Sequence, residues 1–136
     1  MTELQGVTSL PLQIDTASPE VLEAALRCSN GKALVNSVNG KTEVMEAVFP
    51  IVKKYGGVVV ALTLDETGIP ETSEGRIKIA EKIIATAQKY GIAKKDIVVD
   101  ALTMAVSSDI NAAKATLETV KNFFHFHRKW IHNCGT

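Results

Sequence analysis

Four times along the chain a short aliphatic run ends in a polar residue or loop and gives way to a stretch of helical spacing. The runs are 12–15 (LQID), 33–36 (ALVN), 58–62 (VVVAL) and 97–100 (IVVD). Such continuous apolar runs, rich in Val, Ile and Leu, predict parallel strands covered on both faces. The intervening stretches carry helix signals. Ser18 is a good N-cap with Pro19 at the first helical position, where a missing N–H costs nothing. Val21, Leu22, Ala25 and Leu26 then share a face. A second helix can begin at Thr42 and bury Val44, Met45, Val48 and Val52, with a kink or break expected at Pro50. A third begins near Thr72 or Ser73 and aligns Ile77, Ala80, Ile84 and Ala87. A fourth begins near Ser107 or Ser108 and runs through Ala113, Leu117, Val120 and Phe124.

An internal echo supports the repetition. Lys54-Tyr55-Gly56 precedes the third strand and Lys89-Tyr90-Gly91 precedes the fourth. In each, glycine can end a helix in the left-handed conformation before the chain turns into the sheet. Strands alternating with helices at this density give βα units and a parallel sheet. Four such units make half of a (β/α)8 barrel, whose usual length is about 250 residues. The fold expected is therefore α/β with four parallel βα units. It is either half of a barrel, alone or paired with a second copy, or a sheet flattened into a doubly wound form.

Composition narrows the class without changing that picture. Hydrophobic residues at 46% and charged residues at 22% over 136 residues fit one globular domain. Fifteen basic residues balance fifteen acidic ones, which argues against a nucleic-acid footprint. The start MTELQGVTS lacks the basic and apolar regions of a signal peptide, and no apolar run is long enough to span a bilayer. No membrane partner is expected. Cys28 and Cys134 have no metal-like spacing and form no disulfide framework, so the cytoplasm is the expected compartment. Cys28 falls on an apolar helix stripe and reads as a core residue.

Candidate chemistry collects at the strand ends. In βα folds functional groups gather where strands finish, and here those places carry Asp15-Thr16, Asn36-Ser37 with Asn39, Thr63 with Asp65-Glu66, and Asp100. Polar residues often end strands only because loops begin there. An acid or amide at the end of all four runs goes further. Carboxylates accept and amides both donate and accept, a set suited to a flat heterocycle with adjacent N–H and C=O groups. Other chemistries lack their residues. Gly40-Lys41-Thr42 ends like a P-loop, but its first glycine would fall at Val35. All three histidines, His125, His127 and His132, lie in the tail at spacings poor for chelation on a helix, so no metal site and no Ser/His/Asp set is expected.

The stretches PLQIDTASPEVLEAAL, GKALVNSVNGK, VVVALTLDETGIPETSEGRIKIA and KKDIVVDAL resemble the pterin-binding TIM-barrel family. The nearest branch is the methyltetrahydrofolate-binding domain of cobalamin-dependent methionine synthase, with methyltetrahydrofolate:corrinoid methyltransferases beside it. Dihydropteroate synthases are a more distant possibility, because V-N-S-V-N-G replaces the N-D stretch expected there. The similarity covers about residues 11–119 and about half of the family's barrel. It implies that Asp15 and Asn36 hold the pterin ring and that Asp100 accepts from its pyrimidine edge, with Asp65 a secondary candidate. It implies methyltetrahydrofolate as substrate and cobalamin or another corrinoid, carried by a partner protein or domain, as methyl acceptor. No metal is implied in the barrel itself.

The family places a further Asn near the reacting nitrogen on the strand after the one ending at Asp100. The last segment, NFFHFHRKWIHNCGT, does not look like that continuation, and Asn133 is no substitute. Residues 1–136 are thus read as a partial pterin-binding domain with an atypical, exposed tail over 122–136, too short to be active alone. The alternative function is a non-catalytic half-barrel whose uncovered strand edges and inner layer drive homo-oligomerisation.

Overall fold

The computed structural model describes the backbone of residues 1–104 and 110–132, and side-chain surroundings as far as residue 125 with the same internal gap extended to residue 110. Strands β1 (Gln13–Asp15), β2 (Ala33–Val38), β3 (Gly57–Leu62) and β4 (Ile97–Asp100) form one sheet in the order β1-β2-β3-β4. All three pairings are parallel. Helices α2 (Pro19–Arg27), α3 (Thr42–Tyr55) and α4 (Ser73–Lys89) make the crossovers, and α5 (Ile110–His132) follows β4. The expected four βα units are present. A strictly sequential order also rules out the doubly wound alternative, which needs a point where strand order reverses.

Burial separates the two faces of the sheet. Ile14, Val35, Val59 and Ala61 point to the helices and are buried with Leu22, Leu26, Met45, Phe49, Val52, Ile83 and Ala87. Each large aliphatic or aromatic side chain there contributes about 1.5–3 kcal/mol on burial. The opposite face carries Gln13, Asp15, Leu34, Asn36, Val58, Val60, Leu62, Val98 and Asp100, and none of the described helices packs on it: Val98 is 50% exposed. The expectation of strands covered on both faces is therefore corrected. The runs are apolar throughout because the second face is the inner layer of a barrel, which in a closed barrel is filled by side chains of the remaining strands.

Local rules explain most boundaries. Ser18 accepts a hydrogen bond from the Val21 N–H at 3.2 Å, and Thr72 accepts one from Gly75 at 3.2 Å, so both helices begin on side-chain caps. Gly56 and Gly91 adopt φ of 74° and 76°, the left-handed stops expected of the repeated Lys-Tyr-Gly. Helix α3 runs unbroken through Pro50. The residue is exposed, so the carbonyl left without a partner one turn earlier faces water.

Surface assignments on three helices differ from the periodicity. Val21 is 54% exposed, and Cys28 is an exposed free thiol at the end of α2 rather than a core residue. A three-turn helix covers the sheet with a narrower stripe than its apolar residues span. The core face of α4 centres on Ile79, Ala80, Ile83 and Ala87 with Ile77 at its margin. On α5 the buried positions are Ala112, Ala115, Thr116 and Thr119, whereas Leu117, Val120 and Phe124 are exposed. The expected start of α5 at Ser107 or Ser108 lies outside the described residues, as do Asn133, Cys134 and the side chains of His127 and His132. The backbone of the tail is helical as far as His132. Helix α1 (Thr2–Val7), which the hydrophobic pattern does not announce, buries none of its side chains. Gln5 ties it down by donating to the Cys28 carbonyl at 2.6 Å and accepting from the Asn30 N–H.

Candidate functional site at the carboxyl ends of the strands

Parallel pairing brings the chemically interesting residues to one end of one face. Asp15 pairs in register with Asn36, and Asn36 with Val60, so the acid and the amide project side by side from β1 and β2. Asn36 Nδ2 donates to Asp15 Oδ2 at 3.1 Å. With the amide nitrogen turned to the carboxylate, Asn36 Oδ1 is left as an acceptor. The pair therefore presents acceptor oxygens from both side chains.

An irregularity in β2 sharpens this placement. Asn36 aligns with Val60 but Val38 aligns with Ala61, so β2 holds one extra residue at Ser37. Strict alternation would point Val38 to the same face as Asn36. The bulge instead turns Val38 into the core, where it is fully buried, and leaves Asn36 as the last regular residue on the inner face.

Asp15, Thr16, Ser18, Asn36, Ser37 and Asn39 line a cleft of about 220 Å³ floored by Leu22, Val44 and Val48. This is smaller than the roughly 300–1,000 Å³ of a typical small-molecule site, as expected of one wall of a pocket. A larger cleft of about 480 Å³ lies at the amino ends of the strands, between α1 and Lys32. It contains none of the strand-end acids, and ligands of parallel βα folds bind at the carboxyl ends, so the smaller cleft is the candidate.

Asp100 stands on the same inner face but two strands from Asn36. Val60 pairs with Val98, one pleat before Asp100, and Leu62 pairs with Asp100. Strand spacing of about 4.8 Å and a rise of about 3.3 Å per residue put Asp100 roughly 12 Å from Asn36, backbone to backbone. Leu62 lies beside it and Val60 and Val98 lie between, giving an apolar floor with polar groups at both ends. Asp100 is held from two sides. Its carbonyl accepts from the Thr63 N–H at 3.2 Å and Thr63 Oγ1 at 3.0 Å, and its Oδ1 accepts from the Leu102 N–H at 2.8 Å. Among the described residues no donor meets the other carboxylate oxygen, Oδ2.

The other strand-end residues serve the loops. Thr63 is fully buried and spends its hydroxyl on β4. Asn39 Oδ1 accepts from the Lys41 N–H at 3.0 Å and shapes the entry to α3. Asp65 Oδ1 accepts from the Thr67 N–H at 2.9 Å and Thr67 Oγ1 at 2.7 Å. The Thr67 hydroxyl, then the Thr67 N–H, and more weakly Lys82 hold its carboxyl below the usual range. Asp65 is thus an anion engaged in its own turn, and the structure does not bring it to the Asp15–Asn36 pair.

A buried arginine escaped the sequence analysis. Arg76, in the first turns of α4, is 1% exposed and donates to the carbonyls of Pro70, Ala101 and Leu102 and to Thr116 Oγ1 at 2.8–3.1 Å. Its signal was available. Arg76 sits three and four residues before Ile79 and Ala80, which puts a charged residue on the core face of its helix.

A family model described as "Pterin binding enzyme" matches residues 1–132. Among characterised proteins, the methionine synthase of Mycobacterium leprae is 32% identical over 124 residues, covering 86% of this chain and 10% of that protein. The methylcorrinoid:tetrahydrofolate methyltransferase of Eubacterium limosum is 29% identical over 129 residues, covering 91% of this chain and 48% of the relative. The methionine synthase of Mycobacterium tuberculosis is 31% identical over 113 residues, with 79% and 10% covered. The chain thus spans about half of one relative and about a tenth of the other two.

Proposed function

The chain belongs to the pterin-binding enzyme family, and from that premise we propose that Asp15, Asn36 and Asp100 bind the pterin of methyltetrahydrofolate for methyl transfer to a corrinoid. The observation that carries the proposal is the acceptor pattern: oxygens of Asp15 and Asn36 at one end of an apolar strip and Asp100 Oδ2 at the other. A reduced pterin has a flat pyrimidine ring with apolar faces, fused to a puckered reduced ring, and each ring carries N–H. Asp100 accepts from the pyrimidine edge, where a ring N–H and an exocyclic amine lie side by side. The Asp15–Asn36 pair accepts from the far ring, and Val60, Leu62 and Val98 meet the ring face. Asp65 contributes through its loop rather than by direct contact.

This chain's part in the reaction is to bind and orient the pterin with its N5 methyl toward the open side of the sheet. The acceptor is a corrinoid held by a partner protein or domain, in keeping with the relatives named methionine synthase and methylcorrinoid:tetrahydrofolate methyltransferase. The exposed thiol of Cys28 fits the reducing cytoplasm as the setting.

Calorimetric titration with methyltetrahydrofolate tests the assignment. Binding to the unaltered chain, weakened at least about tenfold in Asp100→Ala, is expected, since an acceptor lost from a desolvated contact costs about 1.5–3 kcal/mol when charged. Heat of binding unchanged by that substitution would sink the role of Asp100, and no heat from the unaltered chain would sink the pterin assignment.

A second reading has its own observation. The inner face is uncovered, with Val98 half exposed, and β1 and β4 each have one edge without a partner strand among the described residues. We propose that a second copy covers this face, closing a barrel around a twofold axis. Sedimentation equilibrium is expected to show a dimer; a monomer at all concentrations would exclude it.

A further inference from the structure

Arg76 is the feature of this molecule that its proposed chemistry has not used. Burying a guanidinium is costly unless every donor is satisfied. Here, among the described residues, the partners are neutral: the carbonyls of Pro70, Ala101 and Leu102 and the hydroxyl of Thr116. A charge kept in the interior without a carboxylate partner there is a poor device for stability alone, because an apolar residue of similar volume often serves as well. Its placement points elsewhere.

Two of the carbonyls belong to the residues immediately after Asp100. Nη1 shares its two hydrogens among three acceptors, Ala101 O at 3.0 Å, Leu102 O at 3.1 Å and Thr116 Oγ1 at 2.8 Å. Thr116 completes the clamp: its single hydroxyl proton lies between two acceptors, the same Leu102 carbonyl at 3.1 Å and Ala112 O of its own helix at 2.9 Å. Between these anchors Leu102 adopts φ of 56°, the only described non-glycine residue with positive φ. A branched side chain in that conformation costs on the order of 1–3 kcal/mol and persists only where surroundings enforce it. The Ala101 carbonyl that Arg76 holds and the Leu102 N–H belong to one peptide unit, and that N–H meets Asp100 Oδ1 at 2.8 Å.

We propose that Arg76 is the positioning residue for Asp100. By gripping the Ala101 and Leu102 carbonyls from below, its guanidinium fixes the 101–102 peptide unit, whose opposite edge aims the Leu102 N–H at Oδ1, and holds the left-handed residue that follows. That bond fixes the carboxylate rotamer and leaves Oδ2 turned to the ligand. Arg76 touches no substrate; it acts through Leu102. The same guanidinium reaches Pro70 in the loop after β3 at 2.8 Å, so the loops following β3 and β4 are set by one group. The positioning role stands on this geometry, and only its effect on ligand affinity rests on the pterin assignment.

Two substitutions probe the clamp. Arg76→Lys keeps the charge but not the fork, and Thr116→Val removes one partner at nearly constant volume, so that a test survives if the arginine variant fails to fold. The first readout needs no ligand. In the unaltered chain the response read is slow deuterium exchange of the Leu102 amide, which Asp100 Oδ1 holds at 2.8 Å, and that response should be absent in Asp100→Ala. The response should be lost in Arg76→Lys and reduced in Thr116→Val, with the far-ultraviolet circular dichroism of each retained. An unaltered Leu102 response in both would overturn the proposal.

The second readout is affinity for methyltetrahydrofolate. Misplacing a recognition group by about an ångström can cost on the order of a hundredfold, so a loss of about ten- to a hundredfold is expected in Arg76→Lys. Adding Asp100→Asn to Arg76→Lys should then cost little more, because both remove the same contact. Fully additive losses would refute action through Asp100. Absence of binding by the unaltered chain would overturn the pterin assignment, whereas the Leu102 response decides the positioning role by itself.

Discussion

Gly40→Ala is a one-carbon change that should register strongly, because the space for that carbon is already taken. A Cβ built on Gly40 would lie 2.8 Å from Ile79 Cγ2, 3.0 Å from the Leu64 carbonyl oxygen and 3.2 Å from Asp65 Cβ. The neighbours cannot all yield. Ile79 is buried in the core of α4, and the Leu64 oxygen is main chain that already accepts from the Gly40 N–H at 2.7 Å. The Gly40 carbonyl is in turn held by Lys82 Nζ at 2.6 Å. Relieving the clash means parting the loops after β2 and β3, which carry Asn39 and Asp65. Overpacking of this kind costs about 1–3 kcal/mol. Urea unfolding is the assay, and with a slope of about 1–3 kcal/mol per molar the midpoint should fall by about 1 M. Gly31→Ala is the informative control, since it meets nothing within 4 Å but sits at φ of 82°; it should be destabilised by conformation alone. Combining Gly40→Ala with Ile79→Ala should cost less than the sum of the two, as the new methyl occupies part of the space vacated. A Gly40→Ala midpoint within about 0.2 M of the parent would refute the steric argument.

Two further predictions concern the sheet end and the surface. Thr63→Val removes the fully buried hydroxyl that donates to the Asp100 carbonyl at 3.0 Å; a loss of about 1 kcal/mol is expected, with faster amide exchange confined to the end of β4, and uniform exchange changes would contradict this. The Lys54 ammonium, then the Tyr55 hydroxyl, hold the Glu23 carboxyl below its ordinary range, and Glu23 raises Lys54 in return. A depressed carboxyl stabilises above its unfolded pKa, and that contribution disappears as pH falls through the lower folded value. Glu23→Gln should therefore lower the melting temperature slightly at neutral pH and low salt, with the difference vanishing in strong acid and shrinking in salt; a difference that persists in acid would show the loss to be packing.

What sequence alone determined follows from periodicity and local chemistry. The four strands, their termini within a residue or two, the capped starts of α2 and α4 and the glycine stops are local, and each is written in a few adjacent residues. Asp15, Asn36 and Asp100 were legible as candidates because a strand's end is itself a local feature. That the three share one face was decided by the register between strands, which no single strand contains. The pterin came from resemblance over several motifs, which no single residue type could supply.

Tertiary structure decided the rest, because it depends on which surfaces meet. An apolar strand facing solvent reads like one facing a helix, so VVVAL and IVVD did not show which face lies open; only the count of four βα units pointed to an uncovered inner layer. The exposure of Val21 and Cys28 was equally hidden, because a helix's apolar stripe does not say how much of it the sheet reaches. The roles of Thr63 and Asp65 turned on partners in three dimensions, which left one buried under Asp100 and the other bound to its own loop. The turn of Val38 into the core needed the extra residue in β2, which alternation cannot show. Arg76 is the sharpest case: its anchors span residues 70 to 116, and only the packing of α4 against α5 and the end of β4 brings them to one guanidinium.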